Sequence, residues 1–271
     1  MPELPEVETI RRDLAKLIVG RKVLGIETNS PKQVQPSLEM VKKAITGTTI
    51  KKVQRRAKII QIFFSNGKII IVHLKLTGRL LVRKKEDKID DWQHIMLSLS
   101  GDKELRFADS RKFGWFRLLK DEKELQKILK EFGPEPLDGL TLPVFQKILS
   151  STSRPVKIVL MDQQRISGVG NIYANEALFL AKIDPRRPAK KMTKQAGEKL
   201  YQALEKVLRA GIKYRGASDQ YYLDALGHKG FYQEHFLVYG RQGKRCLACS
   251  GTIKRISLGG RGTFYCPQCQ K

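Results

Sequence analysis

Four cysteines lie within the last 26 residues as Cys246-Leu-Ala-Cys249 and Cys266-Pro-Gln-Cys269, two C-x2-C pairs separated by sixteen residues. Each pair turns two sulfurs toward one centre, so together they suit a tetrahedral Zn2+. Four protein ligands leave no open position, and the expectation is one structural zinc per chain. The other end of the chain opens MPELPEVETI. Pro5 followed by Glu6 and Glu8 suits the first turn of a helix, where a missing N–H costs nothing and acids favour the dipole. That leaves Pro2 without a structural reason.

Lys and Arg total 52 against 27 acids, a formal charge of +25. Such an excess repels itself unless an anion offsets it, which favours nucleic acid as partner over a membrane surface or a heparin-like polymer. No apolar run reaches the eighteen or so residues of a membrane span. No cationic segment followed by an apolar one opens the chain, so a cytosolic protein is expected.

The elements that must position these groups fall into two halves. Residues 5–19 carry Val7, Ile10, Leu14, Leu17 and Ile18 at helical spacing, and 37–46 predicts a second short helix. Strand-type runs follow at 22–29, 49–64, 68–83, 94–100, 104–108 and 115–119, with hairpin turns at Ser65-Asn66-Gly67 and Ser100-Gly101-Asp102. Many strands with few crossover helices predict an α+β fold whose first half is an antiparallel β-sandwich with flanking helices. FGPEPLDGLTLP at 132–143 reads as a linker. Helical patterns then cover 143–150, 155–165, 171–181 and 193–213, and 214–236 reads as a long loop of the kind that is often functional.

Seven stretches in order, PELPEVE (2–8), QRRAK (54–58), HLKLTG (73–78), DSRKFG (109–114), GPEP (133–136), GVGNIY (168–173) and CLAC…RGTFYCPQC, resemble the formamidopyrimidine-DNA glycosylases, bacterial base-excision repair enzymes. The likeness spans essentially the whole chain. It implies a catalytic β-sandwich domain at 1–132 and a linker with the first helix at 133–152. A helix–two-turns–helix domain would occupy 153–237, with a base-covering loop at about 214–232, and a four-cysteine zinc finger 238–271. Damaged double-stranded DNA would lie between the domains of a monomer in the bacterial cytosol or nucleoid.

The resemblance also gives Pro2 a purpose. Removal of Met1 exposes a secondary amine, which titrates near ~8 and is nucleophilic at neutral pH. Attack on the sugar C1′ expels the damaged base and leaves a charged iminium, an electron sink for β- and δ-elimination. Glu3 is implied as general acid/base, Glu6 as its orienter, and Lys58 as support for β-elimination. Leu76, Arg111 and Phe113 match the side chains that fill the gap left by an extruded nucleotide. His73, Trp92, His94, Arg154 and Asn171 are implied at the DNA, Glu176 as a supporting acid, and Arg261 as a phosphate clamp that assists δ-elimination.

The chain departs from the family pattern at several positions. Leu76 stands where Met is usual, Trp92 where a histidine is usual, and Ser153 where a basic residue is usual. Asp219 and Gln220 replace an aliphatic and a basic residue in the base-covering loop, which predicts good excision of formamidopyrimidines and slower removal of 8-oxoguanine. Two alternatives stay open at this stage. One is an endonuclease VIII-like enzyme for oxidised pyrimidines; the other is a zinc-dependent DNA-binding protein without catalysis.

Overall fold

The computed structural model describes residues 1–219 and 221–271, so Gln220 lies outside the described residues. Two compact units emerge: Met1–Lys130 with Tyr214–Phe231, and Glu131–Lys213 with Tyr232–Lys271. The segment expected to belong to the helical half, 214–231, thus packs with the sandwich. Among the described residues, no helix is long and apolar enough to cross a membrane.

In the N-terminal unit, helix α1 (Leu4–Leu17) starts with Glu3 as N-cap and Pro5 in the first turn. Its Val7, Ile10 and Leu14 are fully buried, each contributing roughly 1.5–3 kcal/mol by removal from water. The strands are β1 (Val23–Thr28), β2 (Val34–Gln35), β3 (Ile50–Arg56), β4 (Ile59–Phe64), β5 (Ile69–His73), β6 (Arg79–Lys84), β7 (Gln93–Leu99), β8 (Lys103–Ala108) and β9 (Trp115–Leu119). They form a four-stranded sheet ordered β1-β7-β8-β6 and a five-stranded sheet ordered β2-β9-β5-β4-β3. Alternation directs Ile60, Ile62 and Phe64 of β4 and Ile70 and Val72 of β5 into one core with Leu97, Leu105 and Phe107. Helices α2 (Leu38–Ile45) and α3 (Glu122–Leu129) complete the unit.

Two runs expected as single strands, 49–64 and 68–83, are each broken. The first turns at Ala57, with φ +52°, and the second at Lys75, with φ +53°. Neither break carries a glycine at its left-handed residue; the first falls in the polar run Gln54-Arg55-Arg56-Ala57-Lys58 and the second just ahead of Gly78. Helix α3 was not expected either, although Asp121 accepts a hydrogen bond from Glu124 N at 2.9 Å as a regular N-cap.

The C-terminal unit contains α4 (Leu142–Ser150), α5 (Val156–Met161), α6 (Asn171–Leu180) and α7 (Lys194–Lys213), followed by the hairpin β10 (Lys254–Leu258) and β11 (Arg261–Tyr265). Helix α5 stops at Met161 rather than near 165, because the chain turns through Asp162, whose carbonyl accepts from Arg165 and Ile166 N.

Candidate active site and zinc centre

Pro2 is buried directly ahead of α1, while Met1 is half exposed. Glu3 and Glu6 are 2% and 1% exposed and form a capping box across the helix start. Glu6 Oε2 accepts from Glu3 N at 2.8 Å, and Glu6 Oε1 accepts from Ala217 N at 2.8 Å. One carboxylate therefore fixes both the residue after Pro2 and the start of the 214–231 segment.

Glu8, expected as a dipole-favouring acid, lies beyond the first turn and serves another purpose. It accepts from Arg11 at 2.5 Å, Arg12 at 2.8 Å and Arg55 at 3.2 Å. Burial works to raise its pKa, but the hydrogen bonds of Arg11 and Arg12 and the charges of Arg11 and Arg55 outweigh it and hold it at about 2. Arg55 Nη1 also donates to Ala57 O at 2.9 Å. This links α1 through Glu8 and Arg55 to the turn that presents Lys58, which is 6% exposed.

His73 closes β5, where its Nδ1 accepts from Lys75 N at 3.0 Å. Burial, with the nearby charges of Lys75 and Lys58, lowers its pKa to about 3. The ring is thus neutral at physiological pH and carries its proton on Nε2.

Leu76, Arg111 and Phe113 come from two separate turns, and the buried Asp109 joins them. Its Oδ1 accepts from the Thr77 hydroxyl and, at 3.2 Å, from Arg111 N; its Oδ2 accepts from Gly114 N at 2.7 Å. Any Cβ on Gly114 would sit 2.5 Å from Phe107 Cζ and 2.9 Å from the His73 carbonyl oxygen, so only glycine closes this turn. The result exposes Phe113 with the Arg111 guanidinium 4.9 Å above its ring, while Leu76 is half buried. Trp92, 54% exposed at φ +58°, accepts from Asp109 N through its carbonyl at 3.0 Å. The His94 ring nitrogens lie 2.8 Å from Asn29 Oδ1 and 3.1 Å from Asp109 O. Sequence reading placed Asp109 and Thr77 inside the DSRKFG and HLKLTG stretches but gave neither a role, since the bond that joins them spans 32 residues.

In the C-terminal unit, Asn171 opens α6 behind an N-cap, Gly170, that makes no side-chain cap bond. Asn171 Nδ2 donates to Gly262 O at 3.1 Å, and the same carbonyl accepts from the buried Lys157 Nζ at 3.1 Å. Lys157 also donates to Thr263 Oγ1 at 2.7 Å, and Asn175 Oδ1 accepts from Phe264 N at 2.8 Å. Strand β11 is held against α5 and α6 in this way. Arg261 is exposed at its start, after Gly259 and Gly260 with φ of +58° and +70°. Arg154, expected at the DNA, donates to Asp162 Oδ2 at 2.8 Å and is half exposed.

The four cysteine sulfurs all lie within 4.8 Å of one another. Measured separations are 3.8 Å for Cys246–Cys269, 3.5 Å for Cys249–Cys266 and 3.3 Å for Cys249–Cys269. A tetrahedron with Zn–S near 2.3 Å needs sulfurs about 3.8 Å apart, so the donor set fits one structural zinc. Gly251 N and Ala248 N point at Cys249 and Cys246 Sγ at 3.3 and 3.4 Å, the N–H···S support such knuckles use.

Glu176, expected as a supporting acid near the chemistry, is fully buried and engaged with backbone. Its Oε1 accepts from Val238 N at 3.0 Å and Tyr239 N at 2.8 Å, and its Oε2 from Leu237 N at 2.8 Å. Burial pushes its pKa up, against the pull of those three donors and the Arg241 charge. Its geometry is that of a brace for the chain entering the zinc finger. Glu176→Ala leaves these donors without their acceptor and should cost about 3 kcal/mol, each stranded group costing ~1–3 before relaxation. Calorimetry should show a lower Tm; an unchanged Tm would exclude the brace.

The family model for the formamidopyrimidine-DNA glycosylase N-terminal domain matches residues 1–116, that for the H2TH domain 132–222, and that for the zinc finger found in FPG and IleRS 243–271. The formamidopyrimidine-DNA glycosylase of Herpetosiphon aurantiacus is 42% identical over 100% of both chains. That of Carboxydothermus hydrogenoformans is 40% identical, again over 100% of both. Among solved structures, Lactococcus lactis Fpg in complex with an abasic-site DNA superposes with a TM-score of 0.93 at 35% identity, covering 99% of each chain. With the capped N-terminus, the Asp109-centred turns and the four-sulfur centre, these matches lead to one statement: the chain belongs to the formamidopyrimidine-DNA glycosylase family.

Proposed function

We propose that the protein excises oxidised purines from double-stranded DNA and then cuts the strand at the resulting abasic site, with Pro2 as nucleophile. The observation that carries this reading is the start of α1, where Pro2 directly precedes a buried glutamate whose backbone N–H is held by a second buried glutamate. The L. lactis relative has been crystallised with DNA containing an abasic site and with DNA containing a formamidopyrimidine, which supports the substrate class.

Once Met1 is removed, the Pro2 nitrogen attacks C1′ and the bond to the base breaks, the proton lost from the Pro2 amine passing to the departing base. Glu3 supplies a proton to O4′ as the sugar ring opens, and the nitrogen lone pair forms the iminium. Loss of a C2′ proton expels the 3′ phosphate, and a second elimination expels the 5′ phosphate. Lys58 assists the first elimination beside the scissile phosphate. Arg261 grips a phosphate in the second, and Asn171 with the start of α6 holds the backbone. Phe113, Leu76 and Arg111 occupy the gap left by the extruded base, Arg111 toward the orphaned partner. His73, Trp92, His94 and Arg154 line the DNA, and zinc keeps the Arg261 hairpin folded. We place the protein in the bacterial cytosol or nucleoid, acting as a monomer.

Borohydride reduction during reaction with duplexes carrying a formamidopyrimidine, 8-oxoguanine, an oxidised pyrimidine or an abasic site tests this directly. Trapping should map to Pro2 by peptide mass spectrometry, on the purine lesions and the abasic site. Full cleavage by protein verified by mass to retain Met1 would remove Pro2 as the nucleophile. Trapping confined to the oxidised pyrimidine would move the enzyme to the endonuclease VIII-like class.

A further inference from the structure

Arg215 occupies a left-handed backbone conformation, φ +59°, immediately before Gly216 at φ +86°. Glycine would hold this position without strain, whereas an arginine pays a conformational penalty that something else must offset. Its side chain supplies the reason. Nη2 donates to Asp13 Oδ2 on α1 at 2.6 Å and to Asp224 Oδ2 at 2.5 Å, and Nε donates to Asp224 Oδ2 at 3.1 Å.

Asp224 is fully buried, and its other oxygen accepts from Leu226 N and His228 N, each at 2.9 Å. The guanidinium therefore joins the helix that follows Pro2 and Glu3 to the inner turn of the 214–231 segment. Two residues later, Ala217 N is bound by Glu6 Oε1, on the carboxylate that also holds Glu3 N. The return limb is fixed independently. Arg79 Nε donates to Tyr221 O at 2.8 Å, Val82 N to Ala225 O at 2.8 Å and Arg83 Nη1 to Leu226 O at 3.0 Å. Phe231 N donates to Tyr214 O at 2.8 Å, closing the ends of the segment on each other.

The long irregular segment is thus fastened at both limbs, with exposed Asp219 and Tyr221 near its tip. We infer that Arg215 is a specificity-determining positioning residue. By bridging Asp13 and Asp224 it sets how the segment is seated against α1, and so governs removal of an intact damaged base without governing cleavage of a site whose base is already gone. This rests on the reaction proposed above.

The test is single-turnover kinetics on one duplex sequence carrying formamidopyrimidine, 8-oxoguanine or a preformed abasic site. Arg215→Gly suits the backbone and deletes only the bridge. It should slow excision of both bases roughly tenfold and leave abasic cleavage within about twofold of wild type. Arg215→Lys, which keeps one cationic contact, should fall between. Adding Asp13→Asn to Arg215→Gly should slow excision no further, because both changes break one link. Equal slowing on all three duplexes, or none on any, overturns the inference. Wild-type protein that fails to cleave the abasic duplex would instead overturn the underlying reaction.

Discussion

Glu3→Gln should remove base excision almost entirely while sparing most of the cleavage of preformed abasic sites. Glutamine keeps a side-chain oxygen at the N-cap and leaves the Glu3 backbone N–H on Glu6 Oε2, so helix α1 should lose less than ~1 kcal/mol. What disappears is the titratable proton. Base loss and sugar opening both build charge that an acid must quench, and removing such a group typically costs about 10²–10⁴ in rate. An abasic sugar has already lost its base and reaches the open aldehyde without the enzyme, so its path to the iminium depends less on Glu3. Single-turnover rates on a formamidopyrimidine duplex and an abasic duplex, with Tm as the folding control, measure the split. Parallel losses on both substrates at unchanged Tm would show that Glu3 serves an elimination step and not base departure.

The zinc ligands were fully legible from sequence because a C-x2-C pair is a local object: spacing alone fixes where its sulfurs point. The sandwich was legible for a similar reason, through β-rich runs bounded by the short turns Ser65-Asn66-Gly67 and Ser100-Gly101-Asp102. The turns inside those runs were hidden. Strands β4 and β5 bury both faces for most of their length, so no period of two marks where each strand begins or ends. The left-handed residues at the breaks are Ala57 and Lys75, types that carry no turn signal. Those same breaks present Lys58 and Leu76, so a local rule fails at candidate site positions. Asp109, Glu8 and Arg215 were illegible for another reason. Beside its near partners each has one distant in sequence: Arg55 for Glu8, Asp13 for Arg215 and Thr77 for Asp109, 47, 202 and 32 residues away. Charge type gives no hint of such pairings before the chain is folded.

Cys266→Ser should cost the zinc, the hairpin and DNA binding together. The finger's apolar core is small: Phe179, Val238 and Ile253 with Cys246 and Cys266. So few buried groups cannot offset the entropy of ordering residues 238–271, and metal binding must supply the difference. Lys157 and Asn171 grip the Gly262 carbonyl from α5 and α6, but they locate a tip only if its strands exist. A serine hydroxyl is a poor substitute for a thiolate at this soft four-sulfur centre. Metal content should therefore fall well below one per chain, and affinity for duplex containing a stable abasic analogue should drop at least about 100-fold. The N-terminal sandwich has its own core and should keep its strand signal in circular dichroism. Arg261→Ala separates the metal from the side chain it carries. That variant should retain stoichiometric zinc, flatten the salt dependence of binding by about one charge, and lose the second elimination while the first persists. Zinc analysis, anisotropy at several salt concentrations and gel separation of the β and δ products give the three readouts. A Cys266→Ser protein without zinc that still binds and cuts at the wild-type rate would sever the metal from the reaction.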